Sequence, residues 1–133
     1  MGMVGDRKLI YLLIMSYYQE LDIWKKSVEV IKKVYRYTAS FPKTEMYSLV
    51  DQMKRASISI ASNIAEWSGR WSNADNLRFL QMAKWSCSEL EAQVIISHEL
   101  SFLSDTESED VQSEVTHLLN MISLFIRKKK EYK

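Results

Sequence analysis

The chain of 133 residues has the length of a single domain with a substantial core. Its content of 47% apolar and 26% charged residues excludes a wholly disordered or membrane-embedded chain. The net charge of +1, from 18 basic and 17 acidic residues, gives no overall positive field, so nucleic-acid binding would need a local patch. The single cysteine excludes an internal disulfide framework and is typical of a cytoplasmic protein.

Residues 1–16 are predicted to form an N-terminal extension of uncertain structure. Arg7 and Lys8 precede an apolar run, Leu9 to Met15, which is as long as a short signal-peptide core but is followed by no small-residue cleavage site. The run is too short to span a bilayer, and no membrane partner is expected. Three interpretations stay open: a targeting segment, a segment that packs on the rest of the chain or on a neighbour, and sequence upstream of a true start at Met15.

Residues 17–127 are predicted to form four helices, followed by a basic C-terminal tail at residues 128–133. Only one proline and three glycines are present, which favours helices throughout. The first helix, residues 17–39, ends at Phe41-Pro42 because proline disfavours helical geometry in the residue before it. Its core stripe at steps of three and four is Leu21, Trp24, Val28, Ile31 and Tyr35, and a second apolar set is Ile23, Val30, Val34 and Tyr37.

The second helix is predicted from about Thr44 to Trp67, and the third from Ser72 to about Leu103. The third helix is apolar on two sides, which indicates burial on two sides. The core stripe of the second helix is Leu49, Met53, Ala56, Ile60 and Ile64. The third helix has Leu77, Leu80, Ala83, Cys87, Leu90 and Val94 on its core face and Trp85, Ala92, Ile96 and Leu103 on the opposite face.

The fourth helix is predicted to begin at a capping box formed by Thr106 and Glu109. Its core stripe is Val111, Val115, Leu118, Ile122 and Phe125. Four helices with short connections alternate in direction, and sustained three-four steps produce left-handed packing. The predicted fold is therefore all-α, an antiparallel up-down-up-down left-handed four-helix bundle.

A row of polar residues follows the second helix beside its core stripe, and two residues of the third helix are expected to join it. This polar seam has three interpretations: a structural network in the bundle or at a subunit contact, an exposed face, or a binding site. If these polar side chains are buried, they must pair with one another, for example Arg55 with Glu66. The seam comprises Gln52, Arg55, Ser59, Asn63, Glu66, Arg70, Ser86 and Glu89.

Catalytic and metal-binding motifs are absent from the sequence. Cys87 lies on a core face and is predicted to be inert packing. A di-iron bundle needs two Glu-x-x-His pairs, and the chain has one, Glu114 with His117. No Gly-rich phosphate loop or nucleophile motif occurs. We therefore predict no enzymatic activity, no cofactor and no metal.

Several segments of the chain form a recognisable combination: Leu21-Asp22-Ile23-Trp24, Phe41-Pro42, Asn63-Ile64-Ala65-Glu66 and Arg78-Phe79-Leu80, with Arg70, Ser86 and Glu89. In this combination the chain resembles a known family, the four-helix-bundle proteins related to those encoded by intervening sequences in bacterial 23S ribosomal RNA genes. The resemblance covers about Tyr17 to Phe125 and implies a small bacterial bundle that often assembles as a ring-like homopentamer. A related protein, the accessory variability determinant of diversity-generating retroelements, is a basic pentamer that binds nucleic acid and a reverse transcriptase. Trp67 and Trp85 stand where the family pattern usually has glycine.

The leading functional hypothesis is a non-enzymatic bundle that associates with itself as a cyclic homo-oligomer and acts through an assembly or protein-interaction surface. The predicted subunit contacts are Ile23, Val30, Val34, Tyr37, Trp67, Trp71, Trp85 and Ile96. The alternative is an accessory factor that binds RNA, DNA or a nucleic-acid enzyme, with basic patches arrayed by oligomerisation. The predicted nucleic-acid patch comprises Lys25, Lys32, Arg36, Lys128, Lys129 and Lys130.

Overall fold

The computed structural model describes residues 21–69 and 73–131, except for the side chains of residues 73–76 and 131. Within these ranges the chain forms four α-helices, a 3-10 turn at Lys43–Glu45, and no strand. The predicted extension at residues 1–16, Arg70 and Trp71 lie outside the described residues. The helices are α1 (Asp22–Thr38), α2 (Leu49–Ser68), α3 (Asn73–Glu99) and α4 (Asp105–Glu131).

Each helix packs against the helices before and after it, and α1 also packs against α4. The diagonal pairs, α1 with α3 and α2 with α4, make no backbone approach. Short connections between neighbouring helices require successive helices to run in opposite directions. The predicted four-helix bundle is confirmed. Among the described residues, no helix combines the length and the apolar character needed to cross a bilayer.

The predicted core stripes of α3 and α4 are confirmed over most of their length. In α3, Leu80, Ala83, Cys87, Leu90 and Val94 are buried. In α4, Val111, Val115, Leu118 and Ile122 are buried, and Ile126 rather than the half-buried Phe125 continues the stripe. These stripes meet α2 residues such as Ile60 and Ile64 in one hydrophobic core.

The core face of α1 differs from the predicted one. Ile23, Val30 and Val34 are buried, although the sequence pattern assigns them to the second apolar set. Tyr35, from the predicted core stripe, is 42% exposed, and Val28 is only half-buried. The prediction of Ile23, Val30 and Val34 as subunit contacts is therefore wrong, because they already pack inside the single chain.

Two buried hydroxyl groups explain this difference. Ser27 and Thr38 continue the core face of α1, and both are buried. Ser27 Oγ donates to the Trp24 carbonyl oxygen at 2.6 Å, and Thr38 Oγ1 donates to the Val34 carbonyl oxygen at 2.7 Å. A hydroxyl that bonds within its own helix can be buried at low cost. These polar residues interrupt the apolar repeat, so the pattern favours the neighbouring face.

The N-terminus of α4 also differs from the prediction. The capping box is formed by Ser104 and Glu107 rather than by Thr106 and Glu109. Ser104 N donates to Glu107 Oε1 at 2.9 Å, and Glu107 N donates to Ser104 Oγ at 3.1 Å. Helix α4 therefore begins at Asp105, with Thr106 already in its first turn. It continues to Glu131, so Lys128 to Lys130 belong to its last turn and not to a separate tail.

The remaining boundaries are shorter than predicted for physical reasons. Helix α2 begins at Leu49, because the preceding segment forms a 3-10 turn at Lys43–Glu45. Helix α3 ends at Glu99, where Ser101 adopts a left-handed conformation with φ of 63°. Phe102 N then donates to the Ser97 carbonyl oxygen at 2.9 Å, which is typical of a Schellman motif. This turn returns Leu103 to the core, and so Leu103 does not lie on the outer face of α3.

Candidate functional site

The centre of the polar seam is a hydrogen-bonded contact between α2 and α3. Ser86 Oγ donates to Ser59 Oγ at 2.9 Å, and Asn63 Nδ2 donates to the same Ser59 oxygen at 3.1 Å. Asn63 Nδ2 also lies 2.9 Å from the Ser59 carbonyl oxygen. The three side chains are half-buried. This part of the seam therefore joins two helices and also faces solvent.

The ends of the polar seam differ from its middle in exposure. Gln52, Arg55, Glu66 and Glu89 are exposed, and Arg70 lies outside the described residues. Arg55 Nε pairs with Asp51 Oδ2 at 2.9 Å, one turn earlier on α2, and not with Glu66. Glu89 Oε1 accepts a hydrogen bond from Gln93 Nε2 at 3.3 Å. The described seam is not a continuous buried network, because Gln52, Arg55, Glu66 and Glu89 are exposed on either side of its half-buried middle.

A shallow open groove of about 580 Å³ lies over this contact. Its floor is polar, and its α3 wall contains apolar and aromatic side chains with a cation and an anion among them. The exposed guanidinium of Arg78 lies 5.5 Å from the centre of the Phe79 ring. The lining residues are Ser59, Asn63, Arg78, Phe79, Met82, Trp85, Ser86 and Glu89.

The groove continues into an apolar stripe along the outer face of α3. Met82, Trp85, Ala92 and Ile96 are all exposed, Trp85 by 65% and Ile96 by 48%. With Glu89 they repeat at steps of three and four, which is the spacing of a helix-packing seam. The sequence correctly predicts a second apolar side on α3, but the burial expected for that side is not observed: among the described residues it stays exposed. Met82 follows the same repeat, although the predicted apolar residues of this side do not include it.

A second apolar face lies on the outside of α1. Val28 and Ile31 are half-buried and Tyr35 is exposed. Lys54 Nζ of α2 lies 4.6 Å from the centre of the Tyr35 ring, within range of a cation–π interaction. Because α1 and α3 are diagonal in the bundle, this face and the α3 stripe point to different sides of the molecule.

Trp67 is a core residue, and its prediction as an exposed subunit contact is wrong. Its side chain is only 4% exposed and packs edge-to-face on Phe125 of α4, with ring centres 4.9 Å apart. Lys129 Nζ lies 5.7 Å from the Trp67 ring centre and 5.3 Å from that of Phe125. The indole Nε1 has no hydrogen-bond partner. Trp67 therefore joins the ends of α2 and α4 within one chain.

Tyr37, another predicted subunit contact, belongs to a polar clasp between α1 and α4. Tyr37 Oη donates to Asp110 Oδ2 at 2.5 Å, and Lys33 Nζ lies 2.5 Å from Asp110 Oδ1. One turn along, Lys26 Nζ lies 2.7 Å from Glu114 Oε2. We call these residues the α1/α4 clasp. No local sequence pattern predicts the clasp, because its partners are more than 70 residues apart.

The clasp shifts the pKa values of its members. Hydrogen bonds from Lys33, and then from Tyr37, lower the pKa of the Asp110 carboxyl. The hydrogen bond from Lys26 lowers the pKa of Glu114. The hydrogen bond to Asp110 raises the pKa of both Lys33 and Tyr37. The charged forms of the two carboxyls and of Lys33 are therefore favoured in the folded chain.

The cations of the predicted nucleic-acid patch are spread over two helices. Lys25, Lys32 and Arg36 are exposed along α1, with Lys32 Nζ 3.5 Å from Glu29 Oε1. Lys128, Lys129 and Lys130 are exposed in the last turn of α4. Since α1 and α4 are antiparallel, the α4 group lies near the start of α1, and Arg36 is at the opposite end. The structure does not bring the six cations into one cluster.

No group of three His, Cys, Asp or Glu side chains among the described residues is placed to hold a metal ion. Glu114, from the single Glu-x-x-His pair, is engaged by Lys26 in the α1/α4 clasp. Burial raises the pKa of the Cys87 thiol to about 12, so this thiol stays protonated at neutral pH. Cys87 is completely buried in the core.

Comparisons with known proteins identify relatives. The sequence profile of the 23S rRNA-intervening sequence protein family matches residues 19–124, which confirms the resemblance noted from the sequence. The fold is similar to the crystal structure of a protein with unknown function from the S23 ribosomal protein family of Bacteroides thetaiotaomicron VPI-5482. The TM-score is 0.71 at 20% identity, over 78% of this chain and 97% of that chain. At this identity the likeness concerns the fold alone. No curated protein matches the sequence.

Proposed function

We propose that this chain, which belongs to the 23S rRNA-intervening sequence protein family, is a non-enzymatic bundle that assembles with copies of itself and acts through the assembled surface. The observation that carries the proposal is the apolar stripe of α3. Met82, Trp85 and Ile96 are exposed at the spacing of a helix-packing seam. Exposed apolar side chains that line up on one helix favour burial against another helix.

The outer face of α1 is the proposed counterpart of the α3 stripe. The two faces cannot meet within one chain because α1 and α3 are diagonal. The α1 face of one copy can instead pack on the α3 stripe of the next copy. A contact that joins two different patches is head-to-tail, and it closes into a ring when the rotation between neighbouring copies allows. This arrangement supports a cyclic homo-oligomer.

The magnitude of the available burial indicates that both faces are needed. A large apolar side chain contributes about 1.5–3 kcal/mol when it moves from full exposure to full burial. The side chains of Met82, Trp85 and Ile96 are already partly covered, so they contribute less. Association costs on the order of 4–15 kcal/mol in lost freedom of motion. The α3 stripe alone would barely offset this cost, and the half-buried Val28 and Ile31 of α1 supply further apolar surface.

The test is the solution mass measured by light scattering for two face variants and their mixture. Trp85→Asp disables the α3 stripe, and Tyr35→Asp disables the α1 face. The unaltered 133-residue chain should form a discrete oligomer, and each variant alone should shift strongly toward monomer. A one-to-one mixture should form two-chain complexes, because one intact α1 face remains to meet one intact α3 stripe. Asn120→Asp on the exposed face of α4 adds the same charge and should leave the mass unchanged.

Two outcomes would overturn the proposal. If the unaltered chain is a monomer at micromolar concentration, the proposed self-association is wrong. An oligomer whose two variants dissociate but fail to form the two-chain complex would show that the contact is not head-to-tail between α1 and α3. Circular dichroism of each variant separates loss of assembly from loss of folding.

Nucleic-acid binding is the second candidate, favoured by the exposed cations at positions 127–130 at the end of α4. A ring would bring together several copies of these cations and of Lys25, Lys32 and Arg36 of α1, so that weak phosphate-binding sites act together. The same light-scattering measurement should be repeated with mixed-sequence RNA at low and moderate salt. RNA mass that is gained at low salt, released at moderate salt and reduced by alanine substitution of these cations would support this function. An oligomer whose mass is the same with and without RNA would eliminate nucleic-acid binding as the function.

A further inference from the structure

The outer face of α1 and the apolar stripe of α3 have the same repeat. The half-buried Trp24 extends the α1 face by one turn, so that its steps are four, three and four. The last four positions of the α3 stripe follow the same steps. Faces with a common repeat can pack along their whole length, because each side chain meets a counterpart at the same spacing. The positions are Trp24, Val28, Ile31 and Tyr35 on α1, and Trp85, Glu89, Ala92 and Ile96 on α3.

The two faces also lie at the same level in the bundle. Lys54 Nζ of α2 lies 4.6 Å from the centre of the Tyr35 ring of α1. Met53, the preceding residue of α2, accepts a hydrogen bond at Sδ from Ser97 Oγ of α3 at 3.3 Å. Tyr35 is therefore nearly level with Ile96. Because α1 and α3 are both antiparallel to α2, they run in the same direction, and the other positions of the two faces are level in turn.

Equal levels suit a closed ring, because the copies of a cyclic oligomer are related by rotation alone. Rotation about an axis parallel to the helices moves a residue around the ring and keeps its level. The α1 face of one copy then packs in parallel on the α3 stripe of the next copy. In this arrangement Tyr35 meets Ile96, and Val28 meets Glu89.

Glu89 is an anion within an otherwise apolar seam. Its side chain is exposed in the single chain, so association would remove the carboxylate from water. A carboxylate that is buried without a cation is strongly unfavourable. The hydrogen bond from Gln93 Nε2 to Glu89 Oε1, at 3.3 Å, comes from a neutral amide and supplies no positive charge. The opposing face therefore needs a cation at the level of Glu89.

The outer face of α1 has such cations beside Val28. Lys25 precedes Val28 by three residues and Lys32 follows it by four, so both are its neighbours on the helix surface. Helical side chains lean toward the N-terminus, which brings the ammonium group of Lys32 back to the level of Val28 and carries that of Lys25 away from it. Lys32 Nζ lies 3.5 Å from Glu29 Oε1 in an exposed pair. Such a pair contributes little, so Lys32 can exchange Glu29 for another carboxylate.

We propose that Glu89 of one copy pairs with Lys32 of the next copy and sets the register between α3 and α1. This inference rests on the assembly proposed above and adds the residue pair that selects one alignment of the two faces. The apolar side chains supply most of the attraction. The ion pair supplies selectivity, as a single polar position does in other helix-packing seams.

The test is charge reversal, with the solution mass from light scattering over a range of concentrations as the readout. Glu89→Lys and Lys32→Glu each bring like charges together and should weaken association by roughly tenfold or more. Both reversals in one chain exchange the charges of the pair and should restore most of the association. The matched control combines Lys32→Glu with Glu109→Lys, an exposed position on α4 outside both faces, and should not restore it.

Three results would overturn the pair, and they differ in what they say about assembly. If neither single reversal changes the association while Trp85→Asp still abolishes it, the assembly stands and the ion pair is wrong. If the double variant associates no better than Lys32→Glu alone, the two charges act separately and do not pair. If the unaltered chain is a monomer, both the assembly and the pair are wrong. Because Glu89 and Lys32 are exposed, each variant should keep the helical circular dichroism of the unaltered chain.

Discussion

Ser59 of α2 and Ser86 of α3 meet through their hydroxyl groups, with 2.9 Å between the two oxygens. The contact lies at the centre of the groove between these helices, directly beneath the apolar wall that carries Trp85. Asn63 Nδ2 donates to the same Ser59 oxygen and fixes the direction of that hydroxyl. One hydrogen-bonded contact thus sets the relative positions of the two helices that form the groove.

Removal of this contact should lower the stability of the fold. Ser86→Ala deletes the donor, and we expect the free energy of unfolding to fall by about 1 kcal/mol, the usual net contribution of a hydrogen bond. Urea denaturation followed by circular dichroism measures the change. Ser113→Ala removes an exposed hydroxyl that bonds only to a carbonyl of its own helix, and it should cost less than about 0.5 kcal/mol. Equal effects of the two substitutions would mean that the contact between helices adds nothing.

Trp67 and Trp85 should respond very differently to replacement by alanine. Trp67→Ala removes a buried indole from the contact with Phe125 and should cost about 3–5 kcal/mol of stability. Trp67→Phe should cost clearly less, because it keeps most of the packing and removes an indole N–H that has no partner. Thermal denaturation at low protein concentration measures both changes. Trp85→Ala should leave this stability nearly unchanged, and a large loss there would contradict its exposure in the single chain.

The corrected N-terminus of α4 gives a matched pair of variants. Ser104→Ala removes the capping hydroxyl that accepts from Glu107 N and should destabilise the protein by about 1 kcal/mol. Thr106→Ala, at the capping position favoured by the sequence pattern, should change stability by less than about 0.5 kcal/mol. The measurement is the urea concentration at the midpoint of unfolding, compared between variants whose free energy of unfolding falls with the same slope in urea. A greater loss for Thr106→Ala would restore the capping box predicted from the sequence.

Ser101 offers a stabilising substitution. It occupies the left-handed position after α3 with φ of 63°, where glycine has no steric penalty. Relief of that penalty, about 1–2 kcal/mol, exceeds the added chain entropy of glycine in the unfolded state, about 0.5–1 kcal/mol. Ser101→Gly should therefore raise the melting temperature. Ser101→Ala keeps a side chain at the same backbone conformation and should not, so a rise in both variants would point to another cause.

The α1/α4 clasp predicts the pH dependence of stability. Asp110 and Glu114 have lowered pKa values in the folded chain, so their contribution is complete above the unfolded values near 4. It is lost as the pH falls from about 5 through the folded pKa values. Lys33 and Tyr37 have raised pKa values, so their contribution is complete below about pH 10 and is lost as the pH rises further.

Asp110→Asn should flatten the acid side of this profile and reduce stability at neutral pH. Urea unfolding measured from pH 3 to pH 7 tests the effect. The control is Asp51→Asn, which removes the exposed pair with Arg55 on α2. An exposed pair of this kind contributes little, so its profile should follow that of the unaltered protein. Identical acid profiles for Asp110→Asn and the unaltered protein would show that the clasp does not stabilise the fold.

Part of the candidate site follows directly from the sequence. Trp85, Ala92 and Ile96 lie outside the core stripe of α3 in the periodic pattern, and the structure leaves all three exposed. Ser59 and Ser86 belong to the predicted polar seam and do meet. Helical periodicity shows which residues share a face of one helix. It does not show which neighbouring side chain a long residue on that face will reach. The pattern suggests Glu66 as a partner for Arg55, whereas in the structure Arg55 pairs with Asp51 on its own helix.

The helical class, the four helices and most of the inward faces of α3 and α4 can be predicted from the residues alone, because those faces repeat at uninterrupted steps of three and four. The buried side of α1 depends on how the helices pack, since Ser27 and Thr38 satisfy their hydroxyls locally and can enter the core. Helix packing also places Trp67 inside by bringing the end of α4 onto the end of α2. Lys33 and Asp110 also meet only because α1 packs on α4, and no local sequence repeat indicates such a contact.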